Sequence, residues 1–125
     1  MSTNQLRVVS AGLFFLFIFL SGFWLSRTGK PYSGIIFTIH KLIGLAAGVF
    51  LGMTVYRIHQ AAPIGPVEIT AIVVTVLFFA GTVATGGLLS TDKPMPVAIS
   101  MMHKLSPYLT VLSTTVTLYL LLSRK

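Results

Sequence analysis

Residues 35–56 read IIFTIHKLIGLAAGVFLGMTVY, an apolar run of 22 residues interrupted by one adjacent pair, His40-Lys41. Roughly 20 predominantly apolar residues cross the ~30 Å hydrocarbon core of a bilayer as a single α-helix. A membrane barrel would instead need segments of about ten residues that alternate polar and apolar. This run is longer and uniformly apolar, so it predicts a transmembrane helix with an ionisable pair near one end.

Three similar runs flank it, and spans are predicted at about 8–25, 35–56, 67–89 and 97–122. The connections SRTGKPYSG, RIHQAAPIGP and STDKPMP are rich in Pro, Gly and charge and too short to fold alone. The expectation is an all-α fold: an integral membrane four-helix up-down bundle, with residues 1–125 forming a single transmembrane domain. Composition agrees, since 54% hydrophobic and 9% charged residues give a mean hydropathy of +0.90, beyond what a polar-surfaced soluble domain reaches. Trp24, Tyr32, Tyr56 and Tyr119 fall near span ends, where interfacial aromatics belong. The first span exceeds the apolar core of a signal peptide and no A-x-A site follows it, so it is expected to be retained.

The net charge of +7 is spread over loops and termini on both sides of the membrane, which suits anionic lipid head groups and not nucleic acid. The chain has no cysteine, which excludes disulfides, cysteine-ligated iron–sulfur clusters and covalent c-type haem attachment.

The stretch FTIHKLIG at 37–44 has an echo in SMMHKLSP at 100–107. Lys30-Pro31, eight residues, then His40-Lys41-Leu42 matches Lys93-Pro94, eight residues, then His103-Lys104-Leu105. Ser21-Gly22-x-x-Leu25-Ser26 aligns likewise with Thr85-Gly86-x-x-Leu89-Ser90 after one skipped loop residue. The repeat unit is a helical hairpin, and two hairpins of one orientation are related by an axis along the membrane normal. That axis carries His40 onto His103 at similar depth, roughly 7–11 Å from one membrane surface. In an up-down bundle the second and fourth spans are diagonal, so the two imidazoles are expected to face each other across the core. Duplication of a stable hairpin, with His-Lys as a snorkelling interface pair, would also produce the repeat.

Ionisable groups inside a span point first to function. Two imidazoles without a neighbouring carboxylate fall short of a zinc site, whereas haem needs only two axial donors around a planar ring. The pattern therefore points to one non-covalent b-type haem, with His40 and His103 as iron ligands. Their Nδ1–H groups are expected to bond the carbonyls of Ile36 and Ile99 one turn back, leaving Nε2 for the metal.

Neighbouring residues fit a flat ligand. Gly44, Gly48 and Gly52 form a ridge that lets another surface approach the helix, although tight helix packing accounts for them equally. Pro107 removes the amide that would bond the His103 carbonyl and can bend the fourth span there. Gly22, Gly86 and Gly87 would make room for porphyrin edges, while Arg27, Lys30, Lys93, Lys41 and Lys104 are candidate cations for haem carboxylates. Lys41 and Lys104 can instead snorkel to head groups. Thr110, Thr114 and Thr117 read as structural hydroxyls that satisfy backbone. His59, roughly 28 Å along the helix from His40, cannot share its metal and reads as interfacial beside Arg57. The two acids are not catalytic in character: Glu68 suits the first turn of the third span, and Asp92 lies in a loop.

On these residues the chain resembles the small membrane cytochromes b, the bis-histidine bundle family that includes the cytochrome b-561 type and haem-bearing anchor subunits of quinone-linked dehydrogenases. The resemblance implies electron transfer between a quinone pool and a partner redox subunit, by an electron carrier or a subunit of a quinone-linked oxidoreductase. Di-haem members carry two histidine pairs and this sequence has one, so its haem would exchange electrons on one side of the membrane. Two rivals stand beside that reading. A small transporter would show a mid-span carboxylate or similar buried charge, and none is present. A cofactor-free structural subunit of a membrane complex would be colourless. Loop charges favour cytoplasmic termini, and compactness suggests a prokaryotic inner (plasma) membrane.

Overall fold

The computed structural model describes residues 2–29, 34–91 and 93–123. The roles expected for Lys30, Tyr32 and Asp92 lie outside the described residues. Four helices account for nearly all the rest: α1 (Thr3–Thr28), α2 (Gly34–Ala61), α3 (Pro66–Leu89) and α4 (Val97–Leu122). Each is long and apolar enough to cross a membrane, and there is no strand among the described residues. The protein is all-α and built of four candidate membrane-spanning helices, as the sequence predicts.

The ends of α3 and α4 match the apolar runs, but α1 begins at Thr3 and α2 continues to Ala61. Hydropathy marks the slab a helix crosses, whereas hydrogen bonding decides where it stops. At the start of α1, the Ser2 hydroxyl accepts from the Gln5 amide at 3.1 Å, and the Gln5 side chain accepts from the Ser2 amide at 2.9 Å. This reciprocal cap satisfies two amides that would otherwise lack partners. At the other end Gly29 adopts φ 69°, a left-handed conformation that glycine takes without a Cβ clash, and its amide bonds Leu25 O at 3.0 Å. Pro66 opens α3 where a missing amide costs nothing, and Glu68 stands in the first turn, favourable for the positive end of the helix.

The chain divides into two compact units, Met1–Ala62 and Pro63–Lys125, so the division falls where the sequence repeat puts it. In the first, α1 pairs with α2; in the second, α3 pairs with α4. Both pairs are antiparallel helical hairpins.

In the first hairpin, Ala11, Ser21 and Leu25 of α1 and Ala47, Thr54 and Ile58 of α2 are buried. Phe14 and Phe50 meet across it with ring centroids 5.3 Å apart, a tilted aromatic contact.

The second hairpin is joined largely by hydroxyls. Thr75 meets Ser113 at 2.5 Å and Thr117 at 3.0 Å, and Thr82 bonds Ser106 and, at 3.3 Å, Thr110. The threonine protons are directed to carbonyls of their own helices: Thr75 to Ala71, Thr82 to Phe78, Thr110 to Ser106 and Thr117 to Ser113. Ser113 and Ser106 are therefore the donors across the interface. The structural reading of Thr110 and Thr117 is borne out. Thr114, also buried, has no partner for its hydroxyl among the described residues.

Polarity is thus reversed relative to a water-soluble fold. Ser21, Thr54, Thr85, Thr110, Thr114 and Thr117 are buried, while mid-helix Leu45, Leu77 and Leu112 are 65%, 66% and 63% exposed. Hydrocarbon gives apolar side chains no reason to hide, and packing plus polar contacts join the helices instead.

Candidate functional site

His40 is the seventh residue of α2 and His103 the seventh of α4. At 1.5 Å per residue each lies roughly 9 Å into its own helix, so the repeat in sequence is also a repeat of position within the hairpin. Both rings are half-buried.

Each ring packs against a glycine of the neighbouring helix in its own hairpin. A Cβ built on Gly22 would stand 3.0 Å from His40 Cε1, and one built on Gly86 would stand 2.8 Å from His103 Cε1. The residue before each glycine supplies a hydroxyl to the ring. Ser21 Oγ lies 2.8 Å from His40 Nδ1, and Thr85 Oγ1 lies 3.1 Å from His103 Nδ1. Thr82 O also lies 3.0 Å from His103 Nδ1. The dipeptides Ser21-Gly22 and Thr85-Gly86 are therefore two copies of one arrangement, one in each hairpin: glycine opens a notch, and the hydroxyl holds the ring that fills it.

This arrangement differs in detail from the sequence expectations. Beside Gly22 and Gly86 stand the imidazole rings themselves. His103 Nδ1 reaches across to α3, where Thr82 O and Thr85 Oγ1 lie 3.0 and 3.1 Å away, and not to the Ile99 carbonyl one turn back on α4. The sequence repeat pairs Ser21 with Thr85 and Gly22 with Gly86, and the packed hairpins give the pairing a purpose, since each of these residues contacts the histidine of its own hairpin.

Gly44 is half-buried, and a Cβ there would meet no atom within 4 Å among the described residues; the same holds for Gly87 and Gly52. Pro107 stands inside α4, which continues through it as a helix. Arg27, in the last turn of α1, lies 5.8 Å from the centroid of the Phe23 ring, and Lys41 lies 4.8 Å from that of Phe37. Both are cation–π contacts at exposed sites. Lys93 and Lys104 are exposed. His59 lies in the last turn of α2, far from His40 on the same helix.

The donor set is narrow. Among the described residues no three His, Cys, Asp or Glu side chains gather where one metal ion could hold them. That is too few ligands for a structural or catalytic zinc ion.

No protein-family model, curated protein or solved structure matches the chain.

Proposed function

We propose that this protein is a membrane electron-transfer protein that binds one b-type haem, with His40 and His103 as the axial ligands, one from each hairpin. The observation that supports the proposal is the duplicated seat: in each hairpin an imidazole at the seventh position of its helix is lodged against a glycine and held at Nδ1. An imidazole kept only as a snorkelling surface group needs neither feature. When bound, the haem supplies a one-electron couple between ferric and ferrous iron.

The chain's own residues bind and orient that group. His40 and His103 offer nitrogen to the iron, and Gly22 and Gly86 fix where each ring stands. Arg27 and Lys93, with Lys30 from the connection between α1 and α2, are cations at the histidine-bearing end that would balance the haem carboxylates. Gly44 and Pro107, each one turn beyond a histidine, would flank the macrocycle. Glu68, in the first turn of α3, and the hydroxyls that join α3 to α4 have structural roles. Electrons would pass to or from quinone or a partner redox subunit on the side where the histidines lie. The same reading puts the termini in the cytoplasm of a prokaryotic cell and the haem toward the outer face of its plasma membrane.

One observation favours a second reading. A ring that fills a notch and bonds a hydroxyl is itself a good interhelical contact, as a cofactor-free structural subunit would use. Absorbance after purification in mild detergent separates the two. The haem protein is coloured, loses its pigment on His40→Ala or His103→Ala, and keeps it on His59→Ala. A colourless wild-type protein that also fails to take up added haem would overturn the proposal.

A further inference from the structure

A hydroxyl has one proton, and the positions around Ser21 decide where it goes. Ser21 Oγ lies 2.9 Å from Phe17 O and 3.0 Å from Ile18 O, and carbonyls only accept. The Ser21 proton thus has two carbonyl acceptors in its own helix; when it goes to either, a lone pair faces His40 Nδ1 and the ring supplies the proton of that 2.8 Å contact.

Thr85 repeats the arrangement. Its hydroxyl donates to Gly81 O at 2.8 Å and lies 3.0 Å from Thr82 O, so it too presents a lone pair to the ring nitrogen of His103. There the conclusion has independent support, because the Thr82 carbonyl 3.0 Å from Nδ1 has no proton to give. Both imidazoles then carry hydrogen on Nδ1 and a lone pair on Nε2.

We infer that Ser21 and Thr85 are positioning residues that fix the Nδ1–H tautomer of His40 and His103 and so present both Nε2 lone pairs as ligands to the haem iron. The inference rests on the haem reading above and adds two residues that touch neither iron nor porphyrin. A ligating histidine that donates its other N–H is a stronger base and has a fixed ring plane, and loss of such a partner typically weakens metal binding 10- to 100-fold. Ferric iron gains more than ferrous iron from a basic ligand. Removing either hydroxyl should therefore weaken ferric binding more and raise the reduction potential.

The test uses the full chain in detergent micelles with 15N-labelled histidine. Nitrogen chemical shifts recorded before haem is added are expected to show hydrogen on Nδ1 of both His40 and His103. Haem b titrations should then show affinity falling about 10- to 100-fold, and the potential rising, for Ser21→Ala and Thr85→Val. Ser21→Thr and Thr85→Ser, which keep the hydroxyl, should stay close to wild type. Hydrogen on Nε2 in the wild-type protein overturns the inference without recourse to any variant that fails to fold. Unchanged affinity and potential in both hydroxyl-free variants overturn it too. A wild-type protein with the expected tautomers that binds no haem overturns the haem reading itself, leaving the hydroxyls as packing contacts.

Discussion

Gly86 stands so close to the His103 ring that a methyl group on it would lie 2.8 Å from Cε1. No carbon pair tolerates that separation, and the ring cannot simply swing aside without giving up its contacts with Thr85 and Thr82. Gly86→Ala should destabilise the protein by about 1–3 kcal/mol, the usual cost of overpacking, and should reduce haem occupancy. Gly22→Ala, where the approach is 3.0 Å, should act in the same direction less strongly. Gly12→Ala meets open space and should leave haem binding unchanged while gaining up to ~1 kcal/mol in helix propensity. Thermal melting together with haem absorbance checks all three, and equal behaviour of the three variants would refute the notch.

The hydroxyl seam of the second hairpin carries a separate expectation. Ser106→Ala and Ser113→Ala each delete the donor of one interhelical bond, and such bonds average ~0.6 kcal/mol in membrane proteins. Each variant should lose stability by that order when unfolding is followed in mixed micelles. Ser113 lies ten residues beyond His103, ~15 Å along α4, so its variant should keep the wild-type haem spectrum.

Trp24 is the single tryptophan, one turn beyond Ser21 on α1. A haem held by His40 would lie close enough to quench its emission by energy transfer. Emission should fall in proportion to haem bound by the wild-type protein and remain constant in His40→Ala. Undiminished emission from a haem-loaded wild-type protein would place the pigment elsewhere.

Much of this molecule was legible in its sequence because the bilayer forces a simple code. Apolar runs as long as Ile35–Tyr56 leave little choice but a helix, and the pairing of Ser21-Gly22 with Thr85-Gly86 exposed the hairpin repeat. The reach of α1 back to Thr3 was not legible, since a Ser2–Gln5 cap depends on hydrogen-bond geometry that hydropathy ignores. Nor was the use made of Gly22 and Gly86. A glycine in a list of apolar residues signals room, and only the packed helices reveal that an imidazole occupies it. The Thr75–Ser113 and Thr82–Ser106 contacts were hidden for a similar reason. Hydroxyls on α4 announced a polar stripe, but the facing threonines depend on the register of α3.

In the haem proposal, two histidines from two hairpins serve one iron. Titration of the haem-free protein with haem b, followed by absorbance and by electron paramagnetic resonance of the ferric form, tests it directly. Saturation is expected at one haem per chain with a six-coordinate, low-spin signal, lost in both His40→Ala and His103→Ala. Saturation at two haems per chain in high-spin form would mean that each histidine holds its own iron, and no saturable binding would mean that neither holds any; either result contradicts it.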